Sequence, residues 1–222
     1  MGSVIGEILP LAVGIAISPI PIIAVILMLL SPRAKGTSAG FMIGWLAGIV
    51  VAIVVFTLLS SVIPQDTGAG SPVKGVIKII LGVLLLLVAL RQWRGRPAKG
   101  EEAVMPKWMS AIDSMTAGKA LGLGFLLSAV NPKNLLLAIS AGLIVGGASL
   151  TLGEASVVII IFVLLAGCTV IIPVIGYLMA AARMAEPLDR LREWLVDNNA
   201  VIMAVLLLVI GVSVIGKGIA EF

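Results

Sequence analysis

The chain has no histidine, a single cysteine (Cys168), few aromatic residues (5%) and few charged ones (12%). Without histidine, histidine-built metal centres and histidine-ligated haem are excluded within the chain. One cysteine excludes an intramolecular disulfide and any dithiol relay, and leaves Cys168 the default role of a small buried apolar residue. No Asp or Glu falls deep inside an apolar run; Glu7 and Glu154 sit near run ends and read as interface charges. A conventional carboxylate or histidine proton relay and a central metal site therefore lack their ligands. Neither a nucleophile–base constellation nor a cofactor site can be assembled, so the expectation is a non-enzymatic protein without cofactors. What the chain has instead is apolar bulk: 60% of 222 residues are hydrophobic, against about 45–50% in soluble domains. It is an integral membrane protein by composition.

Charged residues mark the limits of the spans, because a Lys, Arg or Asp at a helix centre costs roughly 2.5–3.5 kcal/mol. The charge-free stretches predict spans over 8–32, 37–63, 73–90 (with Lys78 snorkelling outward), 117–147 (interrupted by Lys133 alone), 155–182 and 198–216. Asn198 and Asn199 are candidate caps for the last. The first span lacks a basic leader, carries Glu7 and is too long for a cleaved signal, so it is expected to be retained. Lys and Arg fall in the alternate connections: Arg33 and Lys35; Arg91, Arg94, Arg96, Lys99, Lys107 and Lys119; Arg183, Arg190 and Arg192. Only Lys74, Lys78 and Lys217 fall on the opposite side, which by the positive-inside rule places both termini outside. Two connections carry amphipathic stretches. In 105–116, Trp108, Ile112 and Met115 share a face; in 187–196, Pro187 opens a helix with Leu188, Leu191 and Leu195 on one stripe. Both read as interfacial helices.

The first span is interrupted by Ser18-Pro19-Ile20-Pro21 and the fourth by Asn131-Pro132-Lys133-Asn134. Pro19 and Pro132 are 113 residues apart and half the chain is 111, so aligning the prolines lays three spans on three. Three is odd, so the second triplet enters from the opposite side: an inverted-topology repeat. The expected architecture is an all-α membrane protein of six transmembrane helices. It comprises a first three-helix repeat at 1–92, a basic cytoplasmic connection at 93–116 and a second repeat at 117–222, in one membrane domain. Proline frees backbone carbonyls at bilayer depth, and such backbone survives only where protein or a watery cavity satisfies it. Paired breaks at matching positions are the pointer to a transporter's binding site. Lys133 is the only charge deep in a span and has no deep carboxylate to pair with. It is expected to face a cavity where a substrate anion, water and the Asn131 and Asn134 amides satisfy it. Gly40, Gly44 and Gly48, with Gly142 and Gly146, form small-residue faces suited to packing within the chain. Pro173 is expected to kink the fifth span.

The stretch LLSPRAKGTSAGFMIGWLAG (29–48), SPIP at 18–21, NPKN at 131–134 and Ala138 to Gly142 resemble the GAP family. These are the glycolipid- and sulfolipid-addressing membrane proteins of actinobacteria, within the lysine-exporter (LysE) superfamily. The resemblance spans the whole chain. It implies six spans in two inverted triplets, a plasma-membrane location and a part in moving or delivering cell-envelope glycolipids. It also implies a substrate site, not a catalytic one, at Ser18, Pro19, Pro21, Asn131, Pro132, Lys133 and Asn134. The amino-acid exporters of the superfamily carry a Gly-Pro-Gly-Pro type break where this chain has Ser18 and Ile20, so their substrate is not carried over. The expected function is transport of an anionic lipid or glycolipid through a central site at the broken helices. Small-solute export and a non-transporting scaffold of a lipid-export complex are the competing readings. Membrane lipids are the expected partners, with a homodimer or a lipid-synthesis partner as further options and no nucleic acid.

Overall fold

The computed structural model describes residues 1–60, 72–96, 112 and 114–222, and among them there is no strand. Seven helices follow in order: α1 (Gly2–Ala16), α2 (Pro19–Leu29), α3 (Ala34–Ser60), α4 (Pro72–Arg94), α5 (Ala117–Ala129), α6 (Pro132–Gly147) and α7 (Leu152–Ile219). Four segments are long and apolar enough to cross a membrane: Ala34–Ser60, Gly75–Arg94, Leu152–Ala181 and Arg183–Ile219. The pairs α1/α2 and α5/α6 bend by 52° and 61° at their breaks, and each pair together has the length and apolarity of one further crossing. The chain is a multi-pass membrane protein with four to six crossings.

The end of the chain has the apolar helix expected near 155–182 (Leu152–Ala181) but departs from the expectation of a separate interfacial helix and a capped last span. Across a break at Ala180 (φ −149°, ψ 54°), α7 comprises an apolar helix to Ala181 and one continuous helix, Arg183–Ile219, that covers both the interfacial stretch and the last span. There the chain folds back, laying Gly176 against Met184. Asn198 is no cap: its Nδ2 donates to the Trp194 carbonyl at 2.9 Å, one turn earlier in the same helix. Pro187 and Pro173 both lie inside the helix. A membrane helix tolerates a lost backbone bond when neighbours re-satisfy it, so proline marks neither the end nor the break. On the predicted 187–196 stripe Leu188 and Leu195 are buried, whereas Leu191 is exposed. α7 begins with a complete capping box, Thr151 accepting from the Glu154 N–H while the Glu154 carboxylate accepts from the Thr151 N–H. Of the 105–116 stretch, Ile112 is buried, and Lys107 and Trp108 lie outside the described residues.

Glycine faces set the packing, as expected where helices gain nothing from expelling lipid and must approach closely to attract. Gly40, Gly44 and Gly48 meet Ala117, Leu121 and Ser128 in the same order, so α3 and α5 run parallel. A Cβ on Gly124 would stand 2.9 Å from the Trp45 backbone nitrogen. Gly142 and Gly146 continue the seam, on α6, against Phe56 and Ser60. Gly75 meets Gly218 and Gly82 meets Gly211, so α4 and the last part of α7 run antiparallel. Phe41, Trp45, Phe162 and Met28 fill the interior.

The charged residues sort by end. Lys78 does not snorkel freely but pairs with Glu221. Lys217 lies 3.5 Å from Glu7, joining the two termini of the bundle. At the opposite end lie the starts of α3 and α5, with Arg33, Lys35 and Lys119, and the end of α4, with Arg91 and Arg94.

Candidate functional site

Both breaks are built the same way. A residue before proline is pushed out of the helical region, and proline itself suits the first helical position, whose N–H has no partner inside the helix. Ser18 (φ −95°, ψ 105°) therefore precedes Pro19 at the start of α2. Asn131 (φ −61°, ψ 121°) likewise precedes Pro132 at the start of α6, its side chain accepting from the Lys133 N–H at 3.1 Å. The helices before the breaks end alike: the Ile17 N–H donates to the Val13 carbonyl at 2.9 Å and the Val130 N–H to the Leu126 carbonyl at 3.0 Å. The proline offset of 113 relates every one of these residues to its counterpart.

Each ending leaves carbonyls that no helical N–H can reach. Side chains take them. The Leu127 carbonyl accepts from Asn134 Nδ2 at 3.0 Å, within the second break. Its counterpart, the Gly14 carbonyl, accepts from Lys133 Nζ at 2.7 Å, across from one break to the other. Lys133 Nζ also donates to Ser18 Oγ, and Ser18 Oγ donates in turn to Asn134 Oδ1 at 3.3 Å. The Ala16 carbonyl accepts from Thr169 Oγ1 of α7 at 2.7 Å. Lys133 is 5% exposed, Ser18 3% and Asn134 1%.

Of the seven residues the sequence marks, Ser18, Lys133 and Asn134 thus form one bonded chain joining the two breaks. Asn131 caps α6, Pro19 and Pro132 start helices, and Pro21 lies buried in the first turn of α2. The Asn131 and Asn134 amides do not hold the Lys133 amino group as expected: Asn131 accepts from the Lys133 backbone, Asn134 bonds the Leu127 carbonyl and Ser18, and a carbonyl and a hydroxyl of the first break hold Lys133. The geometry also suits the charge. An ammonium beside the carboxyl end of α1 meets the negative end of that helix's dipole. Gly14 and Thr169 were not marked by the sequence; a backbone acceptor has no side chain to read, and Thr169 lies in an unbroken apolar run.

Thr169→Val keeps the shape and removes the donor to Ala16. It is expected to cost about 1 kcal/mol, the usual worth of a hydrogen bond between membrane helices. Unfolding in a denaturing-detergent titration measures it, and a variant as stable as wild type would show that the bond contributes nothing.

One cleft touches the buried chain and a second lies apart from it. An apolar one of about 620 Å³ opens sideways between α1 and the last part of α7, lined by Pro10, Val13, Gly14, Ile17, Trp194 and Val205 among others. A polar one of about 290 Å³ lies at the end of the bundle that carries the termini, with Glu7, Lys78, Glu221 and Ser60 in its wall. Gly14 belongs both to the apolar cleft and, through its carbonyl, to the lysine site. Among the described residues no three of His, Cys, Asp and Glu gather as metal ligands would.

A family model described as Sap, sulfolipid-1-addressing protein, matches residues 8–220. The match takes in both breaks and all seven helices in whole or large part, and the chain belongs to that family. No curated protein and no solved structure matches it.

Proposed function

We propose that this member of the sulfolipid-1-addressing protein family is a transporter that moves or delivers an anionic cell-envelope lipid or glycolipid, without catalysis and without a cofactor. It acts in the plasma membrane, with both termini outside. Its two triplets, 1–92 and 117–222, are inverted repeats of LysE-superfamily type that rock about the breaks. The observation that carries this reading is Lys133, buried between the two breaks, whose amino group donates to a carbonyl and a hydroxyl of the other half. A buried cation held only by neutral acceptors is an exchangeable partner for an anion. When a sulfate, phosphate or carboxylate headgroup arrives, the ammonium turns from Gly14 and Ser18 to it, and the link between the halves opens. The lateral apolar cleft that shares Gly14 supports a lipid over an amino-acid-like solute, because it offers the acyl chain a path beside the headgroup site. Ser18 and Asn134 supply hydrogen bonds to the headgroup, while Pro19, Pro21, Asn131 and Pro132 hold the breaks open to it.

Native mass spectrometry of protein released from its own membranes tests this without a guess at the substrate. Wild type is expected to retain one class of anionic lipid that Lys133→Ala loses. Equal retention by both would remove Lys133 from the substrate site. A stoichiometric partner protein in place of a lipid would favour the scaffold reading.

A further inference from the structure

At the basic end of the bundle, a cleft of about 530 Å³ lies between the turn joining α2 to α3 and the fold-back of α7. One wall is the segment Ser31-Pro32-Arg33-Ala34-Lys35-Gly36-Thr37; the other holds Ala117, Tyr177 and Ala181. Among the described residues no acidic one lines it. The turn is fixed from within: Ser31 Oγ donates to the Met28 carbonyl at 2.8 Å and Thr37 Oγ1 to the Arg33 carbonyl at 3.0 Å. Those bonds use the small polar groups for the backbone and leave the Arg33 and Lys35 side chains exposed, with no ion pair among the described residues. Elsewhere on the chain arginines do find carboxylates, the exposed Arg190 with Glu186 and the half-buried Arg192 with Asp189 at 2.9 Å. Arg33, Lys35 and Tyr177 therefore line one cavity with no carboxylate among its described lining residues.

We propose that this cleft binds a tetrahedral oxyanion, a phosphate or sulfate ester, between Arg33, Lys35 and Tyr177. Arginine meets such a group through its planar fork and lysine as a point charge, and both bonds are charge-assisted. The walls give the site a second property. Arg33 and Lys35 stand in the first half of the chain, whereas Tyr177 and Ala181 lie on either side of Ala180, where α7 leaves the helical conformation. An oxyanion bound here links the first half to the fold-back of the second, at a place separate from the buried Lys133.

The test uses the full chain in bilayer discs of phosphatidylcholine containing a minority of phosphatidylglycerol, with retained lipids counted by native mass spectrometry. Arg33→Gln/Lys35→Gln is expected to lower phosphatidylglycerol retention about tenfold, the loss of one to two charge-assisted contacts. The exchange Arg33→Lys/Lys35→Arg keeps most of it. In a second arm, discs of phosphatidylcholine alone are titrated with inorganic phosphate or sulfate while the unfolding midpoint is followed. Loss of phosphatidylglycerol retention in the Gln variant identifies a lipid headgroup as the ligand. Loss only of the phosphate- or sulfate-induced rise in midpoint identifies a soluble oxyanion. If the Gln variant matches wild type in both arms, or loses no more than a control in which Arg190 and Arg192 are replaced by Gln, the site does not exist. Both side chains project from the surface, so the variant folds; Lys35→Gln alone, with a smaller loss, provides the same reading.

Discussion

Lys133→Glu is expected to leave a protein that inserts but is less stable by about 3 kcal/mol or more, the cost of an unpaired charge at mid-span. The reason lies in what surrounds the side chain. The Gly14 carbonyl is an acceptor with no other donor in its own helix, and Ser18 Oγ already gives its proton to Asn134. A carboxylate at position 133 is an acceptor set against a carbonyl, so attraction becomes repulsion, and burial screens neither group. Lys133→Met separates charge from bulk: it keeps the unbranched stem, leaves the Gly14 carbonyl without its partner, and should cost only about 1–2 kcal/mol. The expected order of unfolding midpoints in a fixed detergent is wild type, then Met, then Glu. A Glu variant as stable as wild type would mean that the lysine does not sit where it bonds the first break.

The second large effect belongs to the glycine seam between α3 and α5. A Cβ at Gly44 would overlap the Leu121 carbonyl oxygen and lie 2.7 Å from its carbon. Those are backbone atoms of a helix and cannot swing aside, so the helices must part along their whole contact. Gly44→Leu is expected to cost at least about 3 kcal/mol, the upper end of overpacking penalties, and to reduce folded yield in fluorescence-detected size-exclusion chromatography. Gly118→Ala is the matching control. Nothing lies within 4 Å of a Cβ there, and in an exposed first turn alanine is favoured over glycine by up to about 1 kcal/mol. If both substitutions behaved alike, helix propensity rather than close approach would govern this seam.

The contrast between these positions shows what the sequence makes legible. Four-residue spacing of glycine marks the faces of α3 and α6, and proline after Ser18 and Asn131 marks both breaks, because each signal is local and follows from sterics. The all-helical, multi-pass character follows from charge-free runs alone. What stayed hidden is non-local or carries no side-chain signature. The partner of Lys133 is the backbone of a glycine 119 residues earlier. The pairings Glu7 with Lys217 and Lys78 with Glu221 join opposite ends of the chain. The break at Ala180 falls in an alanine run, while Pro173 and Pro187, the residues punctuation would select, lie inside helix. Thr151 and Glu154 were readable as a capping box from their spacing, a sign that a glutamate beside a span end has a local use as well as an electrostatic one.

The direction of the bonds across the breaks also orders events at the ribosome. Every long-range donor to the first break comes later in the chain: Lys133 follows Gly14 by 119 residues and Thr169 follows Ala16 by 153. At about 5–20 residues per second, Lys133 is made roughly 6–24 s after Gly14. For that interval the nascent first half holds two carbonyls whose side-chain donors have not yet been made. Completion of the first break therefore waits on synthesis of the second half, which brings the donors that its carbonyls accept from.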